Sequence, residues 1–127
     1  MIGLVAALVV ATCTLARPLP AQAAVGSLPV ATGLAFPAAF TVAADRLIYG
    51  ERFTGAIRVR DLSTGNKRLL FTVPDLATTG EQGLLGIEVH PDYPATPFVY
   101  AFVTRRTPSG VFNQVVRITD SGGAGTA

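Results

Sequence analysis

The sequence predicts an all-β domain preceded by a short apolar signal-peptide helix, and three observations carry that prediction. From Val25 onward no window sustains apolar residues at the 3, 4 and 7 spacing of an amphipathic helix. Short runs rich in Val, Ile, Leu, Phe and Tyr instead recur roughly every 8–12 residues between Gly, Pro, Asn and Asp, the punctuation of a sandwich, barrel or propeller. Leu47-Ile48-Tyr49 and Phe98-Val99-Tyr100 also share one plan, an apolar triplet ending in Tyr, 51 residues apart. A four-stranded propeller blade takes roughly 40–50 residues.

Taken in order, Ile2 to Ala16 is an uninterrupted apolar or small stretch of 15 residues. A bilayer span needs roughly 20, so no stable membrane span is expected. The stretch has the length of a signal-peptide core, and Arg17-Pro18-Leu19-Pro20 breaks any helix behind it. Ala21-Gln22-Ala23 follows as an A-x-A cleavage signature, so residues 1–24 read as a signal peptide and the protein as exported, periplasmic or secreted. No Lys or Arg lies between Met1 and the apolar run, which leaves the N-terminal amine, or residues upstream, to supply the usual positive charge. Val10-Ala11-Thr12-Cys13 loosely resembles a lipidation box, with Thr12 unfavourable before the cysteine.

Strands are expected near Phe40–Ala43, Leu47–Glu51, Ala56–Asp61, Arg68–Val73, Leu85–His90, Phe98–Thr104 and Gln114–Thr119. In Ala56-Ile57-Arg58-Val59-Arg60 the alternation puts Ile57 and Val59 toward a core and the arginines toward water. Ala44-Asp45-Arg46 is a tight connection. Ser63-Thr64-Gly65-Asn66 is a second, with Gly65 able to supply a positive φ. His90-Pro91-Asp92-Tyr93-Pro94 is a stiff third turn. Ser121 to Ala127 reads as a flexible glycine-rich tail with nothing to pack.

Composition excludes several classes. The 127 residues hold one small domain, and with 14% charged against 50% hydrophobic residues the chain is not disordered by self-repulsion. A net charge of +2, falling to +1 once Arg17 leaves with the signal, gives no basis for nucleic-acid binding. Cys13 is the only cysteine and lies in the signal, and His90 is the only histidine. An intrachain disulfide, a cysteine cluster and a multi-histidine zinc site are therefore excluded. Phosphate loops, nucleophile elbows and metal-spaced carboxylates are absent.

Three segments in order carry a family resemblance: Asp45 to Val59 (DRLIYGERFTGAIRV), Gly80 to Tyr93 (GEQGLLGIEVHPDY), and Phe98-Val99-Tyr100 with Val115-Val116-Arg117-Ile118 following. Gly33-Leu34-x-x-Pro37 ahead of them also fits. Together they resemble the N-terminal part of the glucose/sorbosone dehydrogenase family, soluble quinoprotein β-propellers that carry pyrroloquinoline quinone (PQQ). The resemblance runs from about Leu34 to Ile118, the first third or so of a complete family member. It implies a six-bladed propeller with PQQ on its axis, often with calcium. Residues 25–120 would then be the first one to two blades, incomplete. It also implies an oxidoreductase in which a histidine takes the C1-hydroxyl proton of a sugar while hydride passes to the quinone. That histidine, and the calcium and sugar ligands, fall beyond the matched region, so no catalytic or metal-binding residue is assigned to this chain. In the family a glutamine three residues before the first leucine of the GLL motif approaches the quinone. That position is Glu81 here, with Gln82 next to it, and these two are the candidate cofactor-binding residues.

Each candidate has a structural counterpart. Gly80 and Gly83 would let the loop backbone approach a planar ligand, or Glu81 and Gln82 would simply brace the loop. His90 and Asp92 read as turn residues, Asp92 accepting backbone N–H bonds, in preference to a general base and a metal ligand. Glu51-Arg52 reads as a buried ion pair ahead of a charged pocket wall, and Arg105-Arg106 as a solvated hairpin tip. The leading functional reading is an exported sugar or aldehyde dehydrogenase-like protein whose present chain is incomplete and inactive alone. The alternative is a non-enzymatic propeller that binds a ligand or protein.

Overall fold

The computed structural model describes residues 26–123 and 125–127. The expected signal peptide, with its cleavage site and Cys13, lies outside the described residues. All seven predicted strands form: β1 (Pro37–Ala43), β2 (Arg46–Glu51), β3 (Ala56–Asp61), β4 (Lys67–Thr72), β5 (Leu84–Val89), β6 (Phe98–Thr107) and β7 (Gly110–Thr119). They pair antiparallel in chain order as a four-stranded sheet, β1-β2-β3-β4, and a three-stranded sheet, β5-β6-β7. The fold is all-β, a partial propeller of one four-stranded blade and three strands of the next.

Local chemistry sets the turns. Ala44 (φ 47°) and Asp45 (φ 58°) both take left-handed backbone between β1 and β2, as a two-residue hairpin of matching twist requires. Between β3 and β4 the Asp61 carboxylate accepts from the backbone N–H and hydroxyl groups of Ser63 and Thr64. Gly65 closes that turn at φ 77°.

The two sheets pack face to face. Ile48, Ile57, Val59 and Leu70 of the first meet Leu84, Val99, Ala101, Val103 and Ile118 of the second. Ile57 and Val59 are buried while Arg58 and Arg60 point to the opposite face, as the alternation predicts. β5 lies against β1 and β2. The approach is close at Gly50, where an added Cβ would collide with Leu84 Cδ2. A buried polar chain also ties the sheets: Arg46 donates to Tyr93 Oη (3.2 Å), Tyr93 donates to Asp120 (2.6 Å), and Arg68 grips both Asp120 oxygens (2.6 and 2.7 Å).

Two expectations need correction. The β6–β7 hairpin is longer than predicted, and its tip is Pro108-Ser109, so Arg105 and Arg106 belong to the strand. Residues 75–77 run beside this end of β6: Ala77 N–H donates to Thr104 O, and Arg106 N–H to Asp75 O. The Arg105 guanidinium turns back to Pro74 O (3.0 Å) and the Asp75 carboxylate (3.6 Å). The glycine-rich tail, expected to have nothing to pack, finds partners on both sheets. Thr126 bridges Thr119, and Gly125 N–H donates to Leu70 O. A Cβ on Gly125 would stand 2.8 Å from Ile118, so the bare backbone fits where a side chain could not.

The outward faces of both sheets carry exposed apolar side chains among polar ones. Phe40 (70% exposed), Val42 and Leu69 share one face of the first sheet, and Phe102 and Val115 (66%) one face of the second. Among the described residues no helix is long and apolar enough to cross a membrane.

Candidate functional site

The loop that leads into β5 carries the two candidate residues, and it is built from β2 outward. Arg52 directly follows β2. Its guanidinium donates to Gly80 O (2.6 Å) and Gln82 O (3.1 Å) and lies 3.4 Å from the Glu81 carboxylate. The Arg52 carbonyl accepts from Leu84 N–H (3.0 Å), so one residue holds both the crest of the loop and its exit into the strand. Within the loop, Gln82 N–H donates to Thr79 O and Thr79 N–H to Gln82 Oε1.

Glu81 is fully exposed and Gln82 half-buried. Together they border a cleft of about 400 Å³ completed by Leu85, Thr104, Val111 and Asn113. Its size falls within the roughly 300–1,000 Å³ of small-molecule pockets. Thr104 and Asn113 face each other across the β6–β7 pair, and the Thr104 hydroxyl donates to Asn113 Oδ1 (2.8 Å). Accepting that bond orients the Asn113 amide with its NH₂ as the remaining donor. The cleft thus combines amides and a carboxylate with the apolar sides of Leu85 and Val111, an arrangement suited to the polar edge of a flat ligand.

The structure divides the other candidates. Glu51 and Arg52 do not pair: buried Glu51 accepts from Arg58 Nε (3.0 Å) and from Thr54 Oγ1 (3.0 Å), which frees Arg52 for the loop. The two neighbours point to opposite faces of the strand end, as consecutive residues of extended chain do. Gly83 does not open the backbone to a ligand. Its φ is 137°, and a Cβ there would stand 2.6 Å from Arg52 O, so Arg52 occupies the space the glycine leaves. Gly80 has nothing within 4 Å of its Cβ position. His90 serves the turn: its Nδ1 accepts from Asp92 N–H (3.2 Å), and its main chain bonds to Phe98 and Tyr93. The Asp92 carboxylate faces the imidazole at 3.8 Å, and it is the Asp92 carbonyl that accepts a backbone N–H, from Thr96. Among the described residues no group of three or more His, Cys, Asp or Glu could hold a metal ion.

Sequence reasoning missed Thr104, Val111 and Asn113. Their approach to Glu81 and Gln82 depends on the register of the β6–β7 hairpin, which no local motif records. A second hollow, of about 180 Å³, is lined by Arg46, Asp61, Lys67 and Arg68 beside the inter-sheet chain. Its charges already have partners: Arg46 bonds to Tyr93, Arg68 to Asp120, and Lys67 to Thr32 O. Burial opposes the charged form of Asp120, but bonds from Tyr93, Gly122 N–H and Arg68 outweigh it and hold the carboxyl below its ordinary value. Burial, then the bond to that carboxylate, pushes the Tyr93 phenol up.

Comparison with known proteins places this geometry. The family profile of Glucose / Sorbosone dehydrogenase matches residues 34–126. Among curated proteins, quinoprotein glucose dehydrogenase B of Acinetobacter calcoaceticus is 35% identical over 60 residues, 46% of this chain and 13% of that protein. The PQQ-bound aldose sugar dehydrogenase of Streptomyces coelicolor superposes with a TM-score of 0.63 at 34% identity, over 76% of this chain and 30% of its own. A putative oxidoreductase (glucose dehydrogenase) of Thermus thermophilus gives 0.66 at 35% identity, over 76% and 28%. The chain therefore spans less than a third of these solved structures.

Proposed function

The chain belongs to the glucose/sorbosone dehydrogenase family, and from that premise we propose that it forms the first one to two blades of an exported, six-bladed dehydrogenase of sugars or aldehydes that uses PQQ. One observation carries the reading: the Gly80–Gly83 loop holds Glu81 and Gln82 at the rim of a cleft, in the segment that matches the family. The exposed apolar side chains on the outward faces of both sheets support the incompleteness of the chain, since neighbouring blades would cover Phe40 and Val42 on one side and Phe102 and Val115 on the other. The apolar stretch Ile2 to Ala16 followed by Ala21-Gln22-Ala23 supports export, to the periplasm or the medium.

The residues of the cleft fit one edge of PQQ. Gln82 and Asn113 would offer side-chain amides to a bound ring, and Leu85 and Val111 would give it apolar contact. Among the cleft's lining residues there is no cation to meet the carboxylates of PQQ, so this region would form one wall of the site and later blades the rest. When bound, PQQ supplies a quinone that accepts hydride from the C1 position of the sugar. This chain's residues bind and orient. As the family resemblance implies, the proton acceptor for the C1 hydroxyl would lie in later blades, and His90 would keep to its turn, where its Nδ1 accepts from Asp92 N–H.

One observation favours the rival reading, a non-enzymatic propeller. Glu81 stands where the family's glutamine approaches the quinone, and its carboxylate faces solvent. The test is to express the complete reading frame in which these residues lie, add PQQ and calcium, and follow aldose-dependent reduction of a dye acceptor. PQQ-dependent turnover supports the dehydrogenase. Saturable sugar or protein binding without turnover supports the rival.

A further inference from the structure

Resting on the reading of Glu81 and Gln82 as cofactor contacts, we infer that Arg52 is the positioning residue of this site. It presents the Gly80–Gly83 loop to the ligand and offsets the charge of Glu81 there. Three features converge on it. Its guanidinium is the group whose planar fork of five N–H donors can serve two carbonyls and a carboxylate together, and it reaches Gly80 O, Gln82 O and Glu81. The side chain is only 16% exposed, buttressed by Gly83 against its Cγ and by the Phe53 ring 5.0 Å below its guanidinium. The neighbouring carboxylate, Glu51, points to the other face and is taken by Arg58 and Thr54.

The assignment has an electrostatic consequence. A fully exposed Glu81 would repel an anionic cofactor, and Arg52 is the cation within salt-bridge distance of it. A lysine at position 52 keeps the charge but presents its three donors from a single nitrogen, so it matches the spread of Gly80 O, Gln82 O and Glu81 less well than the planar fork.

The test uses the protein from its complete reading frame and reads two quantities. One is hydrogen exchange at the Thr79 and Gln82 amides, whose partners lie within the loop; the other is PQQ affinity from a titration of the free protein. Arg52→Gln is expected to speed exchange at both amides about tenfold, to leave unchanged the β6–β7 amides other than Thr104, whose N–H bonds to Gly83 O, and to weaken PQQ binding about tenfold, the scale of one lost charge-assisted bond. Arg52→Lys should recover part of both. Unchanged loop exchange in Arg52→Gln overturns the tether. Faster exchange with undiminished PQQ affinity, while Gln82→Ala weakens PQQ, overturns the positioning role. If Gln82→Ala and Arg52→Gln both leave PQQ affinity intact, the cofactor reading of the loop fails, and the positioning role with it.

Discussion

Removing one oxygen from Tyr93 tests how the two sheets are joined. In Tyr93→Phe the ring keeps its place, but the bond to Asp120 (2.6 Å) and the acceptor for Arg46 (3.2 Å) disappear. A hydrogen bond to a charged group contributes about 1.5–3 kcal/mol. Asp120, with its side chain 2% exposed, still keeps two bonds from Arg68 and one from Gly122 N–H, so it is not orphaned. Arg46 is half-exposed and water can replace its lost partner. Those facts place the cost near the lower end, about 2 kcal/mol at pH 7. The assay is urea unfolding of both forms of the complete protein, followed by circular dichroism, at pH 7 and pH 3. Because the folded Asp120 carboxyl sits below its ordinary value, its contribution is present above the ordinary carboxylate range and is lost as pH falls through the folded value. The difference between wild type and Tyr93→Phe should therefore shrink toward low pH. A difference below about 0.5 kcal/mol at pH 7, the range of neutral surface changes, would refute the reasoning.

Further outcomes follow from the same geometry. The Asp61 carboxyl, held down to about 2 by the Ser63 hydroxyl first and then by Thr64, should titrate there in a carboxyl NMR experiment. Its support of the β3–β4 turn should be complete above pH of about 4 and lost as pH falls toward about 2. Gly83→Ala should cost about 2–6 kcal/mol, combining a strained φ with a clash against Arg52 O, whereas Gly80→Ala should cost only the backbone term of about 1–2 kcal/mol; paired urea melts separate them. Ala44→Asn, at a left-handed turn position, should stabilise the β1–β2 hairpin by about 1 kcal/mol, read as a higher urea midpoint.

Much of the fold was legible because the strands advertise themselves through alternation and turn residues. Ile57 and Val59 against Arg58 and Arg60 specify a face, and Ala44-Asp45 and Ser63 to Asn66 specify where the chain reverses. What stayed hidden is set by main-chain pairing. The polar end of β6, Arg105 to Thr107, looks like a tip by composition, yet residues 75–77 and β7 supply its backbone partners. The tail reads as unattached because its glycines lack side chains, and that lack is what lets Gly125 approach Leu70 and Ile118. At the site, Glu81 and Gln82 were visible through their glycine-flanked motif. The partner of Arg52 was not, because adjacency to Glu51 suggests a pair that the strand geometry forbids.

The central claim is that PQQ sits against the loop Gly80–Gly83, and locating the cofactor tests it most directly. A crystal structure of the protein from its complete reading frame, grown with PQQ, should show the ring edge within hydrogen-bond reach of Gln82 and bordered by Leu85, Val111 and Asn113. Ordered PQQ elsewhere on the molecule, or a cleft at Glu81 and Gln82 that stays free of it at saturating concentration, would contradict the account.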